Sequence, residues 1–243
     1  MAQDLTTLDS YGWDALRNAL NQRVVLVNER LIPSRRNRVW IVETDVRPVI
    51  LKRSLSRRAE NEFGALLRAR ERGLDVPFPL HRSGDYMVLE YVPGERCDSL
   101  INHLFSAEAA EKLGSWFARF HREFCDDDSQ FIMADAELTN FQLYDGRIVG
   151  MDLEDSCHGE PMEDLGQLIS SILGSEPVFT PIKFDLCMRL LECYESESGM
   201  EAVESSRPFV SKHLRTAAAT RPLFRKTLLE AARSLECGWP RLA

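Results

Sequence analysis

The sequence of 243 residues has no long hydrophobic run, no basic and apolar leader, and no regular cysteine spacing. Its longest apolar stretches, such as residues 24–27, span only a few positions, so we expect no membrane span. The first residues do not resemble a signal peptide. Six cysteines at irregular spacings, with no C-x-x-C pair, indicate neither a zinc site nor a disulfide framework. Together these features favour a cytoplasmic, reduced protein.

The sequence also has fewer basic than acidic residues. Thirty Lys and Arg residues stand against 38 Asp and Glu residues, a net charge of −8, which argues against a nucleic-acid-binding protein. A composition of 44% hydrophobic and 28% charged residues is typical of a folded globular chain and excludes intrinsic disorder. Only five of the basic residues are lysines, so each lysine is an unusual choice, above all Lys52 at the end of an apolar run.

The hydrophobic pattern changes near residues 92–95, from short alternating segments to long helical stripes. Before this point we predict a helix that begins at Ser10 as N-cap and a second helix that stops at Gly73. The predicted elements are helices at 10–22 and 57–72 with strands at 24–27, 39–43, 48–52, 80–82 and 86–91, then helices at 107–124, 161–173, 181–194, 208–216 and 222–235 with a hairpin at 141–151. The hairpin prediction rests on Asp145-Gly146 between two apolar runs, and Ser106 is the predicted N-cap of the helix at 107–124.

Three oxygen-bearing side chains surround the predicted hairpin. Asp135 and Asn140 lie five residues apart in the preceding loop, and Asp152 ends the second hairpin strand, which would return it to the side of Asn140. An Asp and an Asn side by side suit Mg²⁺, and an Asp just before them can accept a proton from an attacking hydroxyl group. The alternative is that these residues only cap loop turns, as Asp and Asn commonly do.

Lys52 closes the run PVILK, where an ammonium group among apolar neighbours needs a partner. Glu62, inside the helix that follows, is a plausible counter-ion. The alternative is an edge-strand lysine that reaches water and prevents sheet-to-sheet aggregation.

Five segments then occur in a telling order: PVILK (48–52), EFGALLRARERGLDVP (62–77), YMVLEYVPGE (86–95), ADAELTNFQLYDGRIVGMDLED (134–155) and PMEDLGQLI (161–169). Over roughly residues 24–173, they resemble the protein-kinase-like superfamily in its small-molecule branch, which includes aminoglycoside and choline phosphotransferases and Kdo-type lipopolysaccharide kinases. The resemblance implies a two-lobed α+β fold. Residues 1–92 would form a nucleotide-binding lobe with a small antiparallel sheet and one key helix, and residues 93–243 a mainly helical lobe with the catalytic loop and acceptor site.

The resemblance also implies roles for the nucleotide side of the reaction. Lys52, fixed by Glu62, would hold the α- and β-phosphates of ATP. Glu90 and Val92 belong to the segment that would hold adenine through backbone groups. No Gly-rich phosphate loop is present, and residues 31–38 stand in its place, where Ser34 is a candidate phosphate contact.

On the acceptor side, the resemblance makes Asp135 the catalytic residue that orients and deprotonates a hydroxyl group, with Asn140 and Asp152 as the Mg²⁺ ligands. Asp164 would brace the loop. The usual histidine two residues before the catalytic aspartate is Met133 here, a departure that favours a second hypothesis: a pseudokinase that binds nucleotide or partners without turnover. A kinase of lipopolysaccharide sugars or of proteins is a third hypothesis.

The acceptor is expected to be a small molecule with a hydroxyl group. The segment after Asp152 is acidic, with Glu154, Asp155, Glu160 and Glu163, and Asp126–Asp128 precedes the loop. A negative field of this kind favours cationic ligands, so we expect an amino alcohol or an amino sugar. The alternative for Asp126–Asp128 is a solvated loop. His121, on an apolar helix face, is expected to be a core histidine with its hydrogen bonds satisfied.

Overall fold

The computed structural model describes residues 9–21, 26–32, 37–45, 47–54, 58–126 and 129–239. The chain divides into two compact units, Met1–Pro93 and Gly94–Ala243. No helix within the described ranges is long and apolar enough to cross a membrane.

The described part of the first unit is a five-stranded antiparallel sheet with two helices. Its elements are α1 (Ser10–Ala19), β1 (Leu26–Ile32), β2 (Asn37–Thr44), β3 (Val49–Ser54), α2 (Ala59–Glu71), β4 (Pro79–Ser83) and β5 (Tyr86–Glu90). The strand order is β1-β2-β3-β5-β4, so β3 lies at the centre and pairs with β2 on one side and β5 on the other. Helix α2 ends as predicted, because Gly73 follows it with φ +75°.

Helix α1 packs on the sheet through a small apolar core. Leu16 is fully buried with Leu51 of β3 and Val88 of β5. The predicted N-cap Ser10 was wrong. The cap is Asp9, whose carboxylate accepts a hydrogen bond from the backbone N–H of Gly12 at 3.1 Å while Ser10 is already helical. Asp and Ser cap equally well, so the choice is set by where the chain turns into the helix.

Strand β1 lies further along the chain than the predicted strand at 24–27, of which residues 24 and 25 fall outside the described residues. It pairs with β2 from Leu26 opposite Thr44 to Ile32 opposite Val39. The hydrophobic pattern does not predict this strand over its full length, because its middle residues Asn28-Glu29-Arg30 are polar. A strand at the edge of a sheet can be partly polar, because backbone hydrogen bonds to its neighbouring strand hold it in place.

The second unit is mainly helical, with three small pieces of sheet. Its helices are α3 (Cys97–Asn102), α4 (Ala107–Glu123), α5 (Pro161–Gly174), α6 (Pro181–Ser198), α7 (Arg207–Thr220) and α8 (Arg225–Cys237). Its strands are β6 (Glu95–Arg96), β7 (Cys125–Asp126), β8 (Ser129–Ile132), β9 (Phe141–Tyr144), β10 (Arg147–Gly150) and β11 (Cys157–His158). Strand β9 pairs with β10 and β6, and β8 with β7 and β11.

Short sequence signals predict two of these elements correctly and misplace the start of a third. Ser106 caps α4 as predicted, accepting a hydrogen bond from Ala109 N at 3.2 Å. Asp145 and Gly146 have φ +49° and +71°, as a two-residue hairpin turn of type I′ requires. The prediction at Pro222 was wrong: this proline begins a 3₁₀ turn, and α8 starts only at Arg225.

The core around the hairpin is aromatic. Trp116 of α4 stacks on Phe120 at 5.2 Å between ring centroids and meets Phe141 of β9 edge-on, also at 5.2 Å. A Cβ atom on Gly150 would lie 2.2 Å from the Trp116 ring, so only glycine lets β10 approach α4 this closely. The hairpin that carries Asn140 and Asp152 at its ends is therefore seated on a rigid helix.

Candidate active site

Lys52 and Glu62 form a buried ion pair in the first unit. The Lys52 ammonium lies 2.9 Å from Glu62 Oε1 and 2.8 Å from Oε2, with side-chain exposures of 6% and 1%. Lys52 lies on β3, an interior strand, so the alternative of a solvated edge-strand lysine is wrong. The pair joins the sheet to α2 and holds the ammonium group in a fixed position.

The end of β5 is held by side chains of the same unit. Glu90 Oε2 accepts hydrogen bonds from Arg70 Nη2 and from the backbone N–H of Phe78, each at 3.0 Å. The Glu90 carboxylate is thus used within the fold, which leaves a ligand role to the backbone of this segment. Val92 is buried two residues further on. Ser34 lies outside the described residues.

In the second unit, the loop at 133–140 is anchored on helix α5 by one carboxylate. Asp164 Oδ2 accepts a hydrogen bond from Met133 N at 2.6 Å, and Oδ1 accepts one from Ala134 N at 2.9 Å. Asp164 is completely buried. Hydrogen bonds to a buried carboxylate are strong, so the backbone on the N-terminal side of Asp135 is fixed to a helix rather than to its own loop.

His121 supports Asp164 from behind. Its Nε2 lies 3.1 Å from Asp164 Oδ2, and its Nδ1 lies 3.0 Å from the hydroxyl of Tyr194. A carboxylate only accepts, so Nε2 is the donor in the contact with Asp164. Burial raises the pKa of Tyr194, which keeps this hydroxyl protonated. The expected core histidine is present, and it also braces the residue that anchors the loop.

Asp135 and Asn140 meet within the loop. Asn140 Nδ2 donates to the backbone carbonyl of Asp135 at 2.9 Å and to Asp135 Oδ2 at 3.3 Å. These contacts orient the amide and leave its oxygen, Oδ1, as the atom that can bind a cation. Gln167 of α5 reaches the same carboxylate, with its Nε2 3.3 Å from Asp135 Oδ1.

The hairpin returns the chain to this loop. Gly150 pairs with Phe141, and Met151 N donates to the carbonyl of Asn140 at 2.8 Å. Asp152 follows immediately. It lies two residues beyond the end of β10 rather than at the strand end, because the strand stops at Gly150. Asp152 has φ +61°, a backbone conformation that costs energy for any residue except glycine.

A cavity of about 380 Å³ opens beside the loop. Ala134, Asp164 and Gln167 form the part of its wall that belongs to the loop and its anchor. The full lining is Ile132, Ala134, His158, Gly159, Glu160, Glu163, Asp164, Gln167 and His213. The cavity is large enough for a small organic molecule.

The charge of this cavity is less negative than the sequence suggests. Glu163 contacts Lys212 and lies 3.0 Å from His213 Nε2. Burial opposes its ionisation, but the hydrogen bonds from Lys212 and His213 outweigh burial and lower the pKa of Glu163. Glu160 is exposed at the cavity wall.

Other predicted acidic contributors do not face the cavity. Glu154 is buried and Asp155 half-buried, and neither lines it. Asp127 and Asp128 lie outside the described residues, as does the side chain of Asp126.

Sequence reasoning missed Gln167. The available signal was its spacing from Asp164, because residues three apart share a helix face. That spacing becomes informative only once Asp164 is known to contact the loop.

The sequence matches the phosphotransferase enzyme family (APH) over residues 29–142. A comparison with curated proteins finds no match. Amicoumacin kinase hAmiN, solved with AMP-PNP, Ca²⁺ and Ami, is 13% identical with a TM-score of 0.64, over 95% of this chain and 96% of that one.

Two aminoglycoside phosphotransferases are similarly related. APH(2″)-IIa, solved with streptomycin and ATP, is 12% identical with a TM-score of 0.62, over 94% of this chain and 99% of that one. APH(2″)-Ib, solved with ADP, is 12% identical with a TM-score of 0.61, over 94% and 97% of the two chains.

These solved structures confirm the fold that the motif resemblance implies, and the family match agrees with it over residues 29–142. The chain has the protein-kinase-like fold of these solved structures.

Proposed function

We propose that this protein transfers the γ-phosphoryl group of ATP to a hydroxyl group of a small molecule, with Asp135 as the base. The observation that carries the proposal is the loop at 133–140, where Asp135 and Asn140 contact each other while α5 fixes the backbone. Phosphoryl transfer depends on positioning and charge more than on covalent chemistry, and a loop held in this way provides positioning. The cavity beside the loop, whose wall includes the neighbouring Ala134 and the Asp135 contact Gln167, would receive the acceptor.

Residues 1–92 are proposed as the nucleotide-binding lobe and 93–243 as the lobe that binds the acceptor. The buried Lys52–Glu62 pair supports this division, because an ammonium group held at 2.8–2.9 Å by a carboxylate is a fixed point charge suited to phosphate oxygens. The backbone around Glu90 and Val92 would hold adenine. ATP as the donor is further supported by the relatives, which were solved with AMP-PNP, ATP and ADP.

Mg²⁺ fits the residues present. Asn140 offers its amide oxygen, since its nitrogen is committed to Asp135, and Asp152 offers a carboxylate. One or two such ligands together with phosphate oxygens are the usual protein site for this ion. When bound, Mg²⁺ would neutralise phosphate charge. Asp135 would take the proton from the acceptor hydroxyl onto its carboxylate, and Lys52 would stabilise the phosphates.

The proposal is tested by turnover of Mg·ATP with a panel of small hydroxyl compounds. Asp135→Asn removes the base but keeps the side-chain size, so we expect kcat to fall by roughly 10²–10⁴-fold with nucleotide affinity unchanged. Asp145→Asn, in the exposed hairpin turn, is the matched control and should keep full activity. Full activity of the Asp135→Asn protein would refute the assigned role.

The pseudokinase hypothesis makes a different prediction for the metal. If Asp152 is a Mg²⁺ ligand, ATP should bind more tightly with Mg²⁺ than without it, and Asp152→Ala should abolish the difference. Calorimetric titration with ATP, with and without Mg²⁺, measures this. Equal affinity in the unmutated protein, together with no turnover, would favour the pseudokinase.

We further propose that the acceptor carries an amine, as in an amino alcohol or an amino sugar. Of the three carboxylates on the cavity wall, Glu160 is the one that supports this. Glu163 already contacts Lys212 and His213, and Asp164 accepts hydrogen bonds from the backbone of the loop. The expected bias is modest, because a single solvated charge pair contributes about 0.2–1 kcal/mol, or up to about 5-fold in KM. The relatives named above include two aminoglycoside phosphotransferases, one of them solved with streptomycin.

Competition between cationic, neutral and anionic acceptors at low and high salt tests the acceptor class. Cationic acceptors should have the lowest KM, rising with ionic strength. Glu160→Gln should remove the preference, whereas Glu201→Gln, an exposed site that does not line the cavity, should keep it. A salt-insensitive preference for an acidic sugar would refute the amine and favour a lipopolysaccharide-sugar kinase, and phosphorylation of proteins alone would favour a protein kinase.

A further inference from the structure

The carboxylate of Asp135 is held on both oxygens by amides. Asn140 Nδ2 lies 3.3 Å from Oδ2, and Gln167 Nε2 lies 3.3 Å from Oδ1. Asn140 belongs to the same loop and moves with it. Gln167 belongs to α5, so it is the contact that ties the carboxylate to a rigid element.

The second end of the Gln167 side chain is also engaged. Its Oε1 accepts a hydrogen bond from Ala136 N at 3.1 Å. One amide group therefore contacts two consecutive residues, the carboxylate of Asp135 with its donor end and the backbone of Ala136 with its acceptor end. Among side chains of this length only glutamine offers both ends, because glutamate lacks the donor and methionine lacks both.

Gln167 and Asp164 act from the same face of α5, three residues apart. Asp164 takes the backbone N–H groups of Met133 and Ala134, and Gln167 takes that of Ala136. The helix thus fixes the backbone on both sides of Asp135. Gln167 alone of the two also contacts the Asp135 side chain, and it is half-buried on the wall of the 380 Å³ cavity.

We propose that Gln167 is a positioning residue for the reaction: it holds the Asp135 carboxylate in the orientation from which that group receives the hydroxyl proton of an acceptor in the cavity. This inference rests on the proposed function of Asp135. It extends that function by separating the residue that takes the proton from the residue that sets its direction. Misplacement of a reacting group by about 1 Å can cost about 10²-fold in rate, so the effect should be large in kcat and small in binding.

Two variants separate positioning from loop anchoring. Gln167→Glu keeps the length and the acceptor for Ala136 N, but replaces the donor with a negative charge beside Asp135. Gln167→Met keeps the length and removes both contacts. Gln130→Glu, on β8, adds the same charge without contacting Asp135 and is the matched control.

The measurements are kcat and KM for Mg·ATP with a hydroxyl acceptor from the panel above, together with ATP affinity and Tm. We expect kcat to fall about 10–100-fold for Gln167→Met and further for Gln167→Glu, with ATP affinity unchanged within about 2-fold and the Gln130→Glu protein unaffected. If Gln167 only anchored the loop, Gln167→Glu would be as active as the unmutated protein. A Gln167→Glu protein as active as, or more active than, Gln167→Met would overturn the inference.

A second readout does not need turnover. The side-chain amide of Gln167 gives a ¹H–¹⁵N NMR signal, which should shift in Asp135→Ala because its acceptor is lost, and an unchanged signal would overturn the contact itself. Failure of the proposed function alone would appear as no turnover with this shift intact. Failure of this inference alone would appear as turnover that both Gln167 variants match.

Discussion

Gly150→Ala is the substitution whose effect the structure defines most sharply. The added Cβ atom would lie 2.2 Å from Cζ2 of Trp116 and 2.8 Å from two further atoms of the ring, whereas ordinary contacts begin at 3.4 Å. The ring would have to move by at least about 1.2 Å. Trp116 is stacked on Phe120 and packed against Phe117 and Phe141, so it has no free space to move into.

The expected cost follows from this lack of space. Overpacking of a dense core costs about 1–3 kcal/mol, and about 2 kcal/mol corresponds to a fall in Tm of about 4–8 °C for a protein of this size. Gly150 directly precedes Met151 and Asp152, so a displaced strand end should also weaken the Mg²⁺-dependent part of ATP binding. Thermal melting and nucleotide titration of the same preparation measure both effects.

The matched controls are a harmless glycine and a compensating ring. Gly64→Ala in α2 meets only the end of Arg68 at 3.5 Å and should be neutral or stabilise by about 0.5–1 kcal/mol, since alanine favours helices. Trp116→Phe provides a smaller ring, so the Gly150→Ala/Trp116→Phe protein should be more stable than the sum of the two single changes predicts. A Gly150→Ala protein with unchanged Tm, or a double variant without this coupling, would refute the reasoning.

Two further predictions concern buried polar groups of the second unit. His121→Phe should lower the free energy of unfolding by about 1–3 kcal/mol and reduce kcat, because it removes the donor to Asp164 and the contact with Tyr194. His103→Phe, at an exposed position, should do neither. Equal stability of the two variants in urea would contradict this. Lys183 is fully buried and donates to the carbonyls of Ile172 and Ser175 at 3.0 and 2.7 Å, and burial lowers its pKa to about 8. The unfolded lysine keeps its proton up to about pH 10.5, so unfolding takes up a proton between pH 8 and 10.5. The free energy of unfolding should therefore rise with pH in this range, relative to that of Lys183→Met. Urea titrations in which the difference in unfolding free energy between the two proteins stays constant across this range would exclude the lowered pKa.

The features that the sequence predicts well are those encoded within a few residues. Asp145-Gly146 specifies its hairpin because both positions need positive φ, and Gly73 ends α2 for the same reason. Ser106 caps α4 through a contact only three residues away. Such elements form wherever the local pattern occurs, and no knowledge of the tertiary structure is needed to place them.

The features that it does not predict depend on partners distant in the chain. Gln167 contacts Asp135 across 32 residues, and His121 contacts Asp164 across 43. Residues of such separation meet only after α4, α5 and the hairpin have packed. The charge of the cavity was overestimated for the same reason, since Lys212 reaches Glu163 from a helix 49 residues further on.

The loop at 133–140 contains a strained backbone position, and the hydrogen bonds to Asp164 offset the cost of that strain. Ala134 has φ +60°, a conformation that glycine adopts freely and that costs an alanine about 1–2 kcal/mol. Asp164 offsets the cost, because each hydrogen bond to a buried carboxylate contributes about 1.5–3 kcal/mol and it accepts one from Ala134 N and one from Met133 N. The histidine expected two residues before Asp135 is Met133 here, and this side chain is buried and apolar. An imidazole instead reaches the anchor from α4, as His121, so the loop is braced through Asp164 rather than through its own side chains.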